Sequence, residues 1–154
     1  MPTFQVSAVN VLSDDVFELV LERGGVEFQP GDCFAIFNSE GVSRPYSAAS
    51  GNQERYLRFI VRRMPGGAVS QWLATRGPGD EIELSAPFGW FRPGRSGGPC
   101  EASVLIATGT GIAPFLSALR SFPDLEPMLC LHGVRRLADA VDVDYLRDRC
   151  PFQL

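Results

Sequence analysis

The stretch Ser103-Val-Leu-Ile-Ala-Thr-Gly-Thr-Gly-Ile-Ala-Pro-Phe115 holds a short apolar run, a glycine-rich turn and the start of a helical pattern. This order predicts a strand, a tight turn and a helix, and such a turn directs free backbone N–H groups at an anion. Gly109 and Gly111 lack Cβ atoms, so a pyrophosphate can approach the backbone closely. Pro114 replaces the usual third glycine, and proline is tolerated in a first helical turn. Taken alone, the stretch is explained equally well by an ordinary strand–turn–helix connection without a ligand.

Further motifs lie upstream of this turn. Arg44-Pro-Tyr-Ser-Ala-Ala-Ser50 contains an Arg-x-Tyr-Ser sequence, and an apolar run followed by Gly-x-x-Ser lies in Phe59-Ile-Val-Arg-Arg-Met-Pro-Gly-Gly-Ala-Val-Ser-Gln-Trp-Leu73. The segments Gly79-Asp80 and Ala86-Pro-Phe-Gly-Trp-Phe91 come next. In their order and spacing, these motifs and the glycine-rich turn together resemble the ferredoxin–NADP(+) reductase family of flavin-dependent oxidoreductases. The resemblance covers nearly the whole chain.

Composition narrows the class of protein. The 154 residues suit one domain or two small ones, and a hydrophobic content of 45% is enough to build a core. The net charge of −4 disfavours a nucleic-acid partner. No apolar run reaches the length of a membrane span, and the N-terminal residues show no signal-peptide pattern. We therefore expect no membrane partner and a cytoplasmic location.

The basic residues are unusual, because all 14 of them are arginine. Five arginines lie between Arg44 and Arg63, where Glu54 is the only acid. Arginine binds phosphate with a planar, permanently charged fork, so the cluster indicates a small anionic ligand. The alternative is a solvated strand edge, which we expect for Arg55 and Arg58.

Cysteine and histidine give no sign of a metal site. Cys33, Cys100, Cys130 and Cys150 are scattered, and we expect the first and third of them to be buried thiols within apolar strands. His132 is the only histidine, which excludes a site with several histidine ligands. It ends an apolar run, and this position favours a structural role.

The first 97 residues read as a domain built on a six-stranded antiparallel β-barrel, which the family resemblance identifies as FAD-binding. Short apolar or alternating runs separated by turn residues favour a closed barrel over an open sheet. A short helix is expected at Ala68–Thr75, after Pro65-Gly-Gly67. The six predicted strands are Thr3–Leu12, Val16–Glu22, Cys33–Phe37, Arg44–Ala48, Tyr56–Arg62 and Glu81–Ser85.

Residues 98–154 read as the start of a doubly wound nucleotide-binding domain, after a linker at Arg92–Pro99. Strand Val104–Ala107, helix Pro114–Ser121 and strand Met128–His132 form one βαβ unit with parallel strands, and a last helix follows at Asp142–Arg149. Such a domain usually has five or six parallel strands, whereas two are visible here. We expect an open sheet edge and uncovered apolar faces, and hence self-association, a partner that covers the edge, or local disorder beyond about Arg135.

The resemblance implies FAD as cofactor and assigns roles to the upstream motifs. Arg44 would pair with the flavin pyrophosphate, Tyr46 would lay its ring against the flavin, and the Ser47 hydroxyl would serve flavin N5. The remaining implied contacts are the backbones of Phe59, Ile60 and Val61 to the flavin, and the N–H groups of Gly67, Ala68 and Val69 with the Ser70 hydroxyl to the pyrophosphate. The alternatives are a core aromatic for Tyr46 and a plain helix cap for Ser70.

In the second domain the resemblance implies NADP(H) as the second cofactor. Residues 108–111 (Thr108, Gly109, Thr110 and Gly111) would receive its pyrophosphate, and Thr110 would also lie near the flavin. Arg135 would meet the adenosine 2′-phosphate. The alternative is that Arg135 and Arg136 are surface charges that pair with Asp139 or Asp142. Tyr46, Ser47 and Thr110 are the candidate catalytic residues, and no metal is implied.

The implied activity is hydride transfer from NADPH to FAD, followed by electron transfer to a ferredoxin or flavodoxin partner. One alternative is an oxygenase reductase component, although the chain has no cysteine cluster for a fused [2Fe–2S] domain. The other is a flavin-binding fragment or electron-transfer module without turnover of its own. Because the second domain is short, we expect impaired activity.

Overall fold

The computed structural model describes residues 1–94 and 103–154. Most of the predicted linker, the predicted domain boundary and Cys100 therefore lie outside the described residues. The first half contains β1 (Thr3–Val11), β2 (Val16–Glu22), β3 (Cys33–Phe37), β4 (Ser43–Ser47), β5 (Tyr56–Arg62), α1 (Ala68–Leu73) and β6 (Glu81–Glu83). The second half contains β7 (Val104–Thr108), α2 (Ala113–Ser121), β8 (Leu129–Gly133), α3 (Val143–Arg149) and β9 (Phe152–Gln153). Two short 3-10 helices lie at Gly109–Ile112 and Leu137–Asp139.

The six predicted strands of the first half are present, but they divide between two antiparallel sheets. One sheet has the order β5-β2-β1-β6, and β3 pairs with β4 in the other. Isolated bridges join Cys33 to Phe88, Ile36 to Leu84 and Ala48 to Phe59, and so connect the two sheets. The single closed barrel is not confirmed, because no continuous ladder joins β4 to β5.

The gap between β4 and β5 has a cause in the backbone of Pro45. Pro45 lies opposite Ala35 on β3. The N–H of Ala35 donates to Ser85 Oγ and its carbonyl accepts from the Ser85 N–H, both at 2.9 Å. The Ala35–Pro45 pair is therefore not hydrogen-bonded, and the backbone of Pro45 faces away from β3, towards the β5 side. Proline has no N–H to donate there, so a ladder to β5 loses a donor.

The core of the first half is built from alternate residues of its strands. Phe4 and Val6 of β1 point inwards, and β2 is buried along almost its whole length. The Phe34 ring packs edge-to-face against Phe28 and Phe59, with centroids 6.0 and 5.7 Å apart. Each fully buried side chain of this size contributes about 1.5–3 kcal/mol by leaving water, so this cluster fixes the sheets around the site.

The second half is a parallel sheet of three strands in the order β7-β8-β9. The predicted βαβ unit is confirmed, whereas β9 was not predicted. Helix α2 buries Leu116 and Leu119 in a cluster with Leu105 of β7 and Cys130 of β8. The opposite side of β7 is open, since Val104 is 49% and Ile106 is 65% exposed.

The two halves pack against each other. Val16 and Ile60 of the first half are buried in the same cluster as Ile112 and Leu116 of the second. Arg120 Nη1 of α2 donates to the Ala49 carbonyl at 2.7 Å and so ties the helix to the first half. Among the described residues, no helix is long and apolar enough to cross a membrane.

Candidate functional site

A cavity of about 540 Å³ opens at the gap between β4 and β5. Eight of its lining residues were predicted as site residues: Arg44, Tyr46, Ile60, Gly67, Ala68, Val69, Ser70 and Thr110. Four further lining residues were not among the predicted ligand contacts: Pro45, Arg62, Met64 and Gly66. The fold thus brings the Arg-x-Tyr-Ser strand, the Gly-x-x-Ser turn and the glycine-rich turn of the second half to one place.

Arg44 presents an unpaired charge to this cavity. Its side chain is exposed, and Nη1 donates to the Ser43 carbonyl at 2.7 Å. Among the described residues, Arg44 has no carboxylate within ion-pair distance. Tyr46 lies beside it, and burial raises the pKa of the phenol while the Arg44 charge lowers it by less. The cavity therefore holds a free guanidinium and a protonated phenol, which are both hydrogen-bond donors.

The turn before α1 is shaped by Ser70 and Gly67. The Ser70 hydroxyl is buried and accepts from the Met64 N–H at 3.0 Å, so its own hydrogen stays available to donate. A Cβ on Gly67 would lie 2.7 Å from Ser70 Oγ, so the turn requires glycine here. The predicted pyrophosphate contact of the Gly67 N–H does not fit, because that group donates to the Met64 carbonyl at 2.9 Å. The N–H groups of Ala68 and Val69 lie in the first turn of α1, where no preceding helical turn supplies acceptors.

Three predicted residues of the first half do not line the cavity. Ser47 lies on the other face of β4, where its hydroxyl is 3.4 Å from the Cys33 thiol. Cys33 is only partly buried, which differs from the expectation for this cysteine. Phe59 and Val61 are fully buried in the core, and their backbones pair with β2. Of the three β5 residues predicted to contact the flavin, Ile60 alone lines the cavity.

A second cavity, of about 450 Å³, lies at the carboxyl ends of β7 and β8. Thr108, Gly109, Thr110 and Arg135 line it as predicted, together with Gly133, Val134 and Arg62, but Gly111 does not. Gly109 has a φ of +53°, a left-handed conformation that glycine adopts without steric cost. This turn leads through the short 3-10 helix into α2, with Pro114 in the first turn of the helix.

The two neighbouring arginines after β8 differ in their surroundings. Arg136 Nη2 lies 2.9 Å from Asp15 and 3.0 Å from Asp139. Arg136 is therefore a surface charge paired with carboxylates, as the alternative interpretation of the sequence expected. Arg135 lines the second cavity and is exposed. Within the described part of the chain it has no carboxylate partner. Of these two arginines, only Arg135 is therefore placed to meet an anionic ligand.

Arg62 and Thr110 line both cavities. Sequence reasoning placed Arg62 within the arginine cluster but did not single it out. The available signal is its position two residues after Ile60, since residues two apart on a strand share a face. Arg62 and Thr110 mark the junction of the two cavities, where groups bound in each would approach one another.

The chain is similar to several known proteins. The profile of the oxidoreductase FAD-binding domain matches residues 3–92. The chain is 32% identical to methane monooxygenase component C of Methylosinus trichosporium, over 93% of this chain and 45% of that protein. It is 30% identical to ferredoxin–NADP reductase of Pseudomonas aeruginosa, over 97% of this chain and 60% of that protein.

Solved structures show the same fold. A ferredoxin–NADP(+) reductase from Neisseria gonorrhoeae with bound FAD and NADP matches with a TM-score of 0.82 and 22% identity, over 98% of this chain and 66% of that one. The Amycolatopsis cytochrome P450 reductase GcoB matches with a TM-score of 0.82 and 31% identity, over 97% of this chain and 50% of that one. The chain belongs to the oxidoreductase FAD-binding domain family. The resemblance to ferredoxin–NADP(+) reductases is confirmed, and the chain spans about half the length of the curated relatives it matches.

Proposed function

We propose that this chain binds FAD in the first cavity and is the flavin-bearing part of an NAD(P)H-dependent electron-transfer reductase. One observation carries the proposal: the unpaired Arg44 guanidinium shares a cavity with the Ala68 and Val69 N–H groups of the first turn of α1. A charged donor and free backbone donors in one cavity suit a pyrophosphate, which has two phosphates. This favours FAD over FMN, because FMN has a single phosphate.

The other residues of the cavity fit the remainder of such a cofactor. FAD, when bound, supplies the capacity to accept a hydride and release single electrons. The ring of Tyr46 offers a flat, partly buried surface for a flavin, and its phenol stays protonated. The Ser70 hydroxyl keeps one hydrogen to donate to a phosphate oxygen. Ser47 is assigned to flavin N5 by the family resemblance, and its hydroxyl needs to exchange the Cys33 contact for that role.

The second cavity is proposed to receive NADP(H). Its glycine-rich turn allows a pyrophosphate to approach the backbone, and Arg135 at the end of β8 offers a charged fork to a 2′-phosphate. Thr110 belongs to both cavities, so the nicotinamide and the flavin would approach each other beside it. These residues bind and orient, and the proposed transfer needs no acid–base pair from the protein.

The proposed acceptor is a ferredoxin-type or flavodoxin-type protein, as for the reductases among the relatives. A specific observation supports a second candidate, an oxygenase reductase component. The relatives include methane monooxygenase component C and the toluate 1,2-dioxygenase electron transfer component of Pseudomonas putida. The four cysteines of these 154 residues are scattered and form no cluster for an iron–sulfur centre, so the acceptor of the electrons lies outside this sequence.

The absorption spectrum of the purified chain tests the proposal. Retained FAD should give flavin bands, and anaerobic NADPH should bleach them if the second cavity supports transfer. Bleaching accompanied by dye reduction supports a reductase, whereas flavin bands that NADPH leaves unchanged support a flavin-binding module without turnover. A colourless chain that also fails to take up added FAD contradicts the proposal.

A further inference from the structure

The Asp139 carboxylate joins three separate segments of the chain. Asp139 ends the 3-10 helix after β8, and its side chain is 1% exposed. Ser13, in the turn between β1 and β2, donates to Oδ1 at 2.6 Å. Arg136 donates to Oδ1 from Nη2 at 3.0 Å and to Oδ2 from Nε at 3.3 Å. Arg62, the last residue of β5, approaches Oδ2 with Nη2 at 3.6 Å.

This approach brings Arg62 across the boundary between the two halves. Its guanidinium reaches the glycine-rich turn, since Nη2 lies 4.0 Å from where a Cβ on Gly109 would be. The side chain is 26% exposed and lines both cavities. A long, flexible side chain at the end of a strand has many other rotamers, so its location at the junction requires an anchor.

The carboxylate does not need Arg62 for its own hydrogen bonding. Ser13 and Arg136 already supply three donors, and the hydrogen bonds from Arg136 and Ser13 lower the pKa of Asp139 to about 2 although burial opposes this. The 3.6 Å approach of Arg62 adds charge attraction and no further hydrogen bond. In the Arg62–Asp139 ion pair, the position of Arg62 therefore depends on Asp139, whereas Asp139 is held without Arg62.

We propose that Asp139 is a positioning residue that holds the Arg62 guanidinium at the junction of the two cavities, where one cation faces anionic groups on either side. The identity of those anionic groups rests on the proposed function. Arg62 and Arg136 share Oδ2 of Asp139. Once the carboxylate charge is removed, the two guanidinium groups repel each other. Arg62 is held more weakly, so it should leave the junction for solvent.

The anchoring itself is tested without any cofactor. Phenylglyoxal modifies accessible arginines, and peptide mapping by mass spectrometry follows the rate at Arg62. Asp139→Asn should raise that rate severalfold. The matched control, Arg136→Gln, removes the other arginine and leaves Arg62 as the only cation of the described residues on the carboxylate, so the rate should stay within about twofold of wild type. An unchanged rate in Asp139→Asn overturns the proposal.

The consequence for binding is tested by titrating NADPH and FAD into the wild-type chain and its variants. Asp139→Asn and Arg62→Gln should each weaken NADPH binding by about fivefold to tenfold. The double variant should bind no more weakly than Arg62→Gln alone, because Asp139 acts through Arg62. Unchanged or tighter binding by Asp139→Asn, or losses that multiply in the double variant, overturns the proposal. If the wild-type chain binds neither dinucleotide, the proposed function fails, and the phenylglyoxal rates still decide whether Asp139 anchors Arg62.

The stability of Arg62→Gln provides a check that does not depend on the folding of Asp139→Asn. If Asp139 positions Arg62, then removing Arg62 leaves the carboxylate with its three donors, and the thermal midpoint should stay within about two degrees of wild type. A large fall in the midpoint would mean that Arg62 is there to satisfy the buried charge, and it overturns the proposal.

Discussion

The Nε2 atom of His132 lies 3.0 Å from the carbonyl oxygen of Gly109, so a buried side chain at the end of β8 contacts the turn that follows β7. Burial lowers the pKa of the imidazole, and the contact with the Gly109 carbonyl offsets this only in part. The ring is therefore neutral at pH 7, with Nε2–H donating to the carbonyl. Nδ1 has no partner among the described residues. This arrangement agrees with the structural role predicted for the only histidine.

The neutral His132 makes the stability of the chain depend on pH. Its pKa in the folded state lies below the ordinary value of 6.5, so on acidification the unfolded chain binds the proton first. The free energy of unfolding should fall as pH drops through 6.5. In urea unfolding at pH 7.5 and pH 5.5, His132→Phe should lose this part of the pH dependence while remaining folded. An equal change between the two pH values in wild type and variant would contradict the assignment.

A second prediction concerns Gly31, which has a φ of +95°. A Cβ there would lie 1.9 Å from the carbonyl oxygen of Phe91, a backbone atom that cannot rotate away. Gly25 is a matched control, because its φ is +81° and a Cβ there would meet nothing within 4 Å.

Gly25→Ala should cost about 1–2 kcal/mol for the left-handed backbone alone. Gly31→Ala should cost about 1–3 kcal/mol more, because the segment around Phe91 must move. Urea unfolding of both variants measures the difference. Equal losses in the two variants would show that the Phe91 backbone yields without cost.

The strongly patterned elements were predictable from the sequence. Helix α2 was predictable because its apolar spacing and early proline define it locally. It was expected at Pro114–Ser121 and begins one residue earlier, at Ala113. Strand β9 has only two residues, too few to show a period, and it exists because it pairs with β8. The open gap beside β4 depends on which way the Pro45 backbone faces, and this follows from pairing with β3 rather than from composition.

The candidate site was predictable as a set of motifs but less well as individual contacts. Arg44 and Ser70 could be singled out from the sequence because each lies in a motif with its own spacing, and both line the cavity. The sequence could not distinguish Arg62 from the neighbouring arginines, because these residues differ in the carboxylates that they pair with, and those carboxylates lie far away in the sequence. Arg58 pairs with Glu18 at 3.3 Å, whereas Arg62 pairs with Asp139 of the other half of the chain.

A third prediction tests Arg44 as the pyrophosphate ligand. Arg44→Ala should weaken FAD binding by about 1.5–3 kcal/mol, the range for hydrogen bonds to charged groups. Arg55→Ala is the matched control, because the Arg55 side chain is 76% exposed, faces Glu22 and does not line the cavity. Titration of the apoprotein with FAD, followed by flavin fluorescence, gives both affinities. If the two variants bind FAD equally well, Arg44 is not a ligand.

A fourth prediction concerns the open face of the parallel sheet. Ile106 is 65% exposed on the outer side of β7, and Met128, just before β8, is 62% exposed. Such an uncovered apolar surface favours association. We expect the wild-type chain to self-associate in sedimentation velocity experiments at micromolar concentration, and Ile106→Glu to shift it towards monomer. Val11→Glu serves as control, because Val11 is 80% exposed but lies on β1. A monomeric wild-type chain contradicts the prediction.

The last prediction separates the two arginines after β8. Arg135 lines the second cavity and lacks a carboxylate partner in the described part of the chain, so it should favour a 2′-phosphate and hence NADPH over NADH. Arg135→Ala should reduce that preference by about tenfold, which corresponds to about 1.4 kcal/mol. Arg136→Ala is the control, since Arg136 pairs with Asp14, Asp15 and Asp139 and should affect stability more than selectivity. Both affinities are measured for each variant by titration. A preference for NADH in wild type, or a preference for NADPH that only Arg136→Ala reduces, would move the recognition of the 2′-phosphate away from Arg135.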